Sequence, residues 1–396
     1  MVNQVKSFGP SRWLLVLEGA LVFLALTSLF YAVVTAPSNG KDLLSLKDWA
    51  HAWLEGSYRN SFGPPPYLVP LISPLALLSS NRVLIVWLGL NLLATGTIFF
   101  AVVKLWGETW TLKAQIFLFA LFISWAPFRV TFRVGQVSIF VTALALAALL
   151  AIRSEKRLVG GALLGLSLSK YSLTLPFLFY FIWKREWMTA AVAILVVATL
   201  TLTFALRLGM SPIDVTRDYI NVITHTSPSH DADFAGTTEI GPLLFSLTGG
   251  NEPVSNKLTF VFGACGLIAM FLGFRRRPQH ESLHIALVAL YSLWFVYHRT
   301  YDSVLCIVPA ALLVDFIVKG KFTRFSIGWL SALGLFVISL PGLLTERLHV
   351  KAEYLAASPL GLLAFHIERL LVLGLFCALM VLLWKSGAPD PDLERL

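Results

Sequence analysis

The chain predicts an all-α, polytopic membrane protein, and three observations carry that reading. Its residues are 57% hydrophobic and only 13% charged, with a mean hydropathy of +0.76, far more apolar than a soluble domain tolerates. The apolar residues come in runs that approach the roughly 20 residues a membrane crossing needs. Short loops rich in Lys and Arg separate the runs, the pattern that orients membrane proteins. With 396 residues there is room for about a dozen crossings and modest loops. We therefore read residues 1–396 as one membrane-embedded domain. The net charge of +9 follows from those loops, so nucleic acid is not an expected partner.

The first run, Trp13 to Thr35, follows Lys6 and Arg12 but is too long for a cleaved leader, so it reads as a retained signal-anchor helix. Residues 36–82 then form a polar and aromatic external loop. In it, Lys41 to Pro66 (KDLLSLKDWAHAWLEGSYRNSFGPPP) precedes a short segment, Tyr67 to Ser79, with Pro66, Pro70 and Pro74 at a spacing of four. If that segment crossed, the clusters around Arg153 and Arg157, Lys184 and Arg185, Arg275 to Arg277, and Lys319 to Arg324 would all lie outside. That breaks the positive-inside rule repeatedly, so the segment is expected to lie at the interface. The later crossings then alternate: Val83–Val103, Ala114–Phe128, Val137–Ile152, Leu158–Ser169, Tyr171–Trp183, Met188–Leu206, Leu258–Phe274, Ser282–Tyr297, Ser303–Val318, Phe325–Leu340 and Leu360–Trp384. The count is about 12 transmembrane helices, with juxtamembrane helices in the first external loop and both termini inside. A second long external loop spans 208–254.

This orientation collects the polar side chains on one external face. Lys170 falls midway between two cytoplasmic basic clusters, so its two flanking half-length helices should form a hairpin with the lysine at the outer turn. It reads either as a snorkelling lysine or as part of an anion site. Arg133 and Gln136, in FRVGQ, precede a helix whose outward N-terminus carries the positive end of the dipole. They read as lipid-headgroup contacts or as a phosphate clamp, the arginine offering two parallel hydrogen bonds. His298, Arg299, Tyr301 and Asp302 form a polar turn, YHRTYD, at the same face. Asp42 and Asp48 compete for an acid or base role on an amphipathic helix whose apolar face (Leu43, Leu46, Ala50, Trp53, Leu54) suits the membrane surface. Arg59 and Tyr58 follow within reach of the same cleft.

Other polar residues take plainer readings. Glu18, Asp315, Glu368 and Arg369 sit in or beside apolar runs as bundle contacts. Cys265, Cys306 and Cys377 are small core residues. The loop stretch HTSPSHDAD lacks fixed ligand spacing and reads as part of a mobile lid, so a divalent metal is not expected.

Four stretches carry a family resemblance. Asp42 to Gly56 followed by Pro65, Pro66, Pro74 and Leu75 resembles the first external loop of glycosyltransferase family 87. RVGQVSIFVTALALAALL, GGALLGLSLSKYSLTLPF and HRTYDSVLCIVPAALL are similar to that family's later blocks. The resemblance runs from the first helix to about Asp315. It departs at Leu46 and Lys47, where the family often has aromatic residues. It implies a GT-C fold, no cofactor, and transfer of a sugar, with mannose the expectation, from a polyprenyl-phosphate donor to a glycolipid or glycan acceptor. It also implies that Asp42 is the general base, in an inverting displacement at the external side of the cell membrane. Arg133, Gln136, Lys170, His298 and Arg299 would hold the donor phosphate, supported by Asp48, Arg59, Tyr301 and Asp302. A lipid flippase or transporter is the rival reading. The chain shows no two-halves repeat and its polar residues gather at one face instead of the midplane, which argues against that rival.

Overall fold

The computed structural model describes residues 12–58, 64–225, 237–295, 298–339 and 359–385. Among them the chain is helical, with a single isolated β-bridge between Thr237 and Arg299. Seventeen α-helices are described: α1 (Arg12–Asn39), α2 (Lys41–Leu54), α3 (Leu68–Ala76), α4 (Ser80–Trp106), α5 (Leu112–Ser124), α6 (Ala126–Val134), α7 (Ser138–Arg153), α8 (Arg157–Ser167), α9 (Tyr171–Trp183), α10 (Trp187–Leu208), α11 (Pro212–His225), α12 (Gly241–Leu247), α13 (Glu252–Arg276), α14 (Glu281–Phe295), α15 (Ile307–Val318), α16 (Thr323–Leu333) and α17 (Pro359–Lys385). The protein is an all-α polytopic membrane protein.

By length and apolar composition alone, seven helical runs suffice to cross a bilayer, or eight if the pair α5 and α6, bent by 54°, is one span. Contacts at the helix ends resolve more passes. Arg153 donates to the Leu105 carbonyl at 2.9 Å, and Glu281 lies 3.7 Å from Arg153 and 3.6 Å from Lys184. Arg157 meets Glu186 at 3.1 Å, and Trp110 donates to Asp315 at 3.2 Å. These residues define one face of the bundle, the basic face. On the opposite face, Gly40 touches Leu84, Gln136 reaches Asp42, and Trp53 donates to the Phe204 carbonyl at 3.1 Å. Between these two sets of markers the short helix α7 runs from Gln136 on one face to Arg153 on the other, a pass that length alone omits.

Two runs show why length misleads. Arg157–Trp183 is apolar enough for one 27-residue span, yet the Arg157–Glu186 pair brings its two ends to the same face. It is therefore a hairpin of two short helices, α8 and α9, with the 3-10 turn Leu168–Lys170 at its tip. Gly161 and Gly165 let α8 close on α10: a Cβ on Gly161 would lie 2.7 Å from the Thr189 carbonyl, and one on Gly165 2.8 Å from that of Ala193. The first run, Glu18–Leu54, likewise merges α1 with α2. Asp42 at one end of α2 and Trp53 at the other both contact markers of the same face, so α2 lies across the helix ends and does not continue α1.

The apolar face of α2 differs from the expectation that it rests on lipid. Leu43, Leu46, Ala50 and Trp53 are buried inside the protein. Trp53 stacks on Phe204, with ring centroids 6.1 Å apart. The reason is that α3, α6 and α10 together form a protein floor under α2, and an indole N–H with a fixed acceptor on α10 is more stable there than at a fluid interface. The short α3, with Leu68, Val69, Ile72 and Ala76 buried, completes the insert without crossing, as the charge argument required. The long 208–254 segment contains α11 and α12. Large exposed apolar side chains on α10 and α13, among them Leu195, Leu206, Phe260 and Ile268, form the lipid-facing exterior.

Candidate active site

The elbow between α6 and α7 organises the site. Helix α6 ends at Gly135, which adopts φ +77°, and both Gly135 and Gln136 donate their backbone N–H to the Thr131 carbonyl at 3.0 and 3.1 Å. A Cβ at Gly135 would lie 2.5 Å from the Leu43 Cβ and 3.3 Å from the Leu43 nitrogen, so the first turn of α2 rests directly on bare backbone. That contact delivers Asp42, whose Oδ2 accepts from Gln136 Nε2 at 2.7 Å. Asp42 is half-buried, and its other oxygen has no hydrogen-bond partner among the described residues. A carboxylate so oriented by a neutral amide keeps a lone pair for an incoming proton.

Substituting Gly135 by alanine is expected to lower stability by about 1–2 kcal/mol from the left-handed backbone alone, and to displace α2 further through the Leu43 clash. Thermal midpoints with sugar transfer measured alongside check this: transfer should fall more than the loss of folded protein accounts for, because Asp42 moves with α2.

Two residues beyond Gln136 the same elbow reaches a second cluster. Ser138 Oγ donates to Asp302 Oδ1 at 2.6 Å and accepts from Lys170 Nζ at 3.0 Å, while Lys170 Nζ lies 2.5 Å from the same Asp302 oxygen. His298 Nδ1 meets Asp302 Oδ2 at 3.0 Å and its Nε2 lies 3.1 Å from the Ser172 carbonyl. Lys170 also sits 4.5 Å from the centre of the Tyr301 ring, whose backbone carbonyl accepts from Thr131 at 3.2 Å. A buried charge needs this many partners: Asp302 is 2% exposed and Lys170 17%. Both carboxylate oxygens are thus engaged by the hairpin tip, the elbow and the histidine.

The turn that carries His298 and Asp302 is clamped from behind. Glu239 Oε2 accepts the His298 backbone N–H at 3.1 Å, Thr238 donates its N–H to the His298 carbonyl at 2.9 Å, and Ile240 to that of Trp294 at 2.9 Å. Burial pushes the Glu239 carboxyl above its ordinary range, against the pull of the Arg369 charge and the His298 N–H. Helix α17 brings Arg369, which donates to Thr237 Oγ1 at 2.5 Å, and Glu368, which accepts from Thr300 at 3.3 Å. Glu368 and Arg369 are bundle contacts, as read from the sequence, and the bundle element they contact is this turn.

The remaining sequence candidates are distributed as follows. Arg133, on the last turn of α6, is half-buried and has no hydrogen-bond or ion-pair partner among the described residues. It is a cation available to a ligand. Arg299 and Tyr301 are half-buried beside the clamped turn. Asp48 is exposed on α2, on the side away from its buried face. Arg59 lies outside the described residues, as do His230, Asp231 and Asp233. His298 differs from the expected direct phosphate ligand: it is fully buried with both ring nitrogens engaged, so its contact is with Asp302. Lys170 likewise presents an ammonium already paired. Sequence reasoning missed Ser138 and the Arg369 link, and read Glu239 only as a charge of the long external loop, whereas it is buried against the His298 turn. Only Ser138 had a local signal, a hydroxyl at the start of a helix just after Gly-Gln.

A family model for glycosyltransferase family 87 matches residues 62–299, more than half of the chain. The chain belongs to glycosyltransferase family 87. The matched region of this family 87 protein includes the FRVGQ elbow, the Lys170 hairpin, Glu239 and His298, while Asp42 precedes it. No curated protein and no solved structure matches the chain. Membership makes the protein a membrane glycosyltransferase, which acts on a donor and an acceptor and is surrounded by lipid.

Proposed function

We propose that the protein transfers a sugar, mannose by preference, from a polyprenyl-phosphate donor to a glycolipid or glycan acceptor. The observation that carries this reading is the shared elbow, which holds the Asp42 carboxylate through Gln136 and the Lys170–Asp302–His298 cluster through Ser138. Asp42 takes the proton of an acceptor hydroxyl as its oxygen bonds to the anomeric carbon. The bond from that carbon to the phosphate oxygen breaks, and the electron pair leaves with the lipid phosphate. Arg133 and Arg299, with Lys170 behind them, balance the growing negative charge. Attack opposite the leaving group inverts the anomeric centre. The step as written needs no metal or cofactor.

The basic residues of the opposite face support a cytoplasmic position for that face, which puts the site on the external side of the cell membrane. The experiment offers purified protein a polyprenyl-phosphate hexose together with extracted membrane lipids. A new glycosidic product with release of polyprenyl phosphate is expected. Movement of the donor across vesicles without product would overturn the reading in favour of a flippase.

A further inference from the structure

The basic face holds a cavity of its own, far along the bundle from Asp42. It measures about 350 Å³ and is lined by Gly273, Arg276 and Arg277 at the end of α13 and by Leu383 and Trp384 near the end of α17. The Arg276 guanidinium lies 4.6 Å from the centre of the Trp384 ring, which holds its planar fork in place. At Gly273 the two helices approach closely: a Cβ there would lie 2.6 Å from Leu383 Cδ2 and 3.2 Å from Trp384 Nε1. A side chain at 273 would push the two helices apart. Arg275, Arg276 and Arg277 have no acidic partner among the described residues; the acid that follows them, Glu281, pairs instead with Arg153 and Lys184.

We infer that this cavity binds the phosphate headgroup of an anionic phospholipid in the leaflet that meets the basic face. Two arginines, one of them fixed by an indole, match a phosphodiester that accepts parallel hydrogen bonds. The volume suits one headgroup. The surroundings favour a lipid over a free phosphate: exposed Ile268 and Leu272 precede Arg276 by two turns and one turn on α13, and exposed Val381 precedes Trp384 by about one turn on α17, so an apolar surface for acyl chains adjoins the arginines. A tryptophan at that depth is in its preferred membrane-interface position. Bound lipid would staple the ends of α13 and α17, and α17 carries Glu368 and Arg369 to the other face.

The test is native mass spectrometry of the purified full chain, loaded in turn with dioleoylphosphatidylglycerol and dioleoylphosphatidylcholine. One phosphatidylglycerol adduct is expected to survive activation that strips phosphatidylcholine. Arg276→Gln with Arg277→Gln should reduce its retention about tenfold or more, whereas Lys156→Gln, an exposed cation elsewhere on the same face, should leave it unchanged. Arg277→Gln alone, read the same way, serves if the double variant does not fold. Equal retention of the two lipids, or full retention in the arginine variants, would overturn the proposal. Displacement of the adduct by millimolar glycerol phosphate would overturn it too, by making the site one for soluble anions.

Discussion

Asp42→Asn is expected to reduce sugar transfer by about 10²–10⁴-fold while donor binding and stability stay near those of the parent. Asparagine has the size and shape of aspartate, and its carbonyl oxygen can still accept from Gln136, so the 2.7 Å contact that orients position 42 persists. The side chain loses only its capacity to take a proton. Single-turnover product formation with labelled polyprenyl-phosphate hexose, alongside equilibrium binding of the same donor, separates the two effects. Asp48→Asn is the control. Its carboxylate is exposed, with no partner among the described residues, so transfer should change by no more than a few-fold. Loss of transfer in Asp48→Asn with activity retained in Asp42→Asn would move the base to position 48.

Asp302→Asn should cost about 3–5 kcal/mol of stability. The substitution leaves the Lys170 ammonium, only 17% exposed, without its counter-charge at the tip of the hairpin. It also weakens the bonds from Ser138 and His298 that tie three separate segments together. Unfolding in detergent, followed by a thermal midpoint, reads the loss; a midpoint equal to the parent's would sink the assignment of Asp302 as the centre of the cluster. Adding Lys170→Met should recover much of the stability, since replacing both members of a buried pair removes the uncompensated charge. Transfer should not recover with it, because the positive charge proposed to stand behind the donor phosphate is gone. A stable and fully active double variant would show that Lys170 holds the fold alone.

Much of this architecture was legible without coordinates because bilayer physics acts on short-range patterns. Apolar run lengths and the placement of Arg153, Arg157, Lys184 and Arg275 to Arg277 are enough to assign the polytopic membrane class and to expect Tyr67–Ser79 not to cross. The same bookkeeping puts Lys170 at a hairpin tip, a conclusion that helix length alone would have reversed. It also brings Asp42, Gln136, Lys170 and the His298–Asp302 turn to one face, where the structure pairs Asp42 with Gln136 and Lys170 with the turn.

What the pattern did not decide was which of those groups pair with one another. That Asp302 takes Lys170 and Ser138 as well as its near neighbour His298, while Arg133 has no partner among the described residues, depends on contacts between residues 132 and 164 positions apart. The floor under α2 was equally hidden: an amphipathic helix has the same periodicity whether its apolar face meets lipid or protein, and only the arrival of α3, α6 and α10 beneath it selects protein. By itself the sequence determined the membrane class and the face on which polar chemistry collects, because hydrophobic length and loop charge are local quantities set by the bilayer. Tertiary structure alone decided the pairing of charges and the seat of Asp42 on the bare backbone of Gly135, because both depend on the close packing of segments distant in the chain.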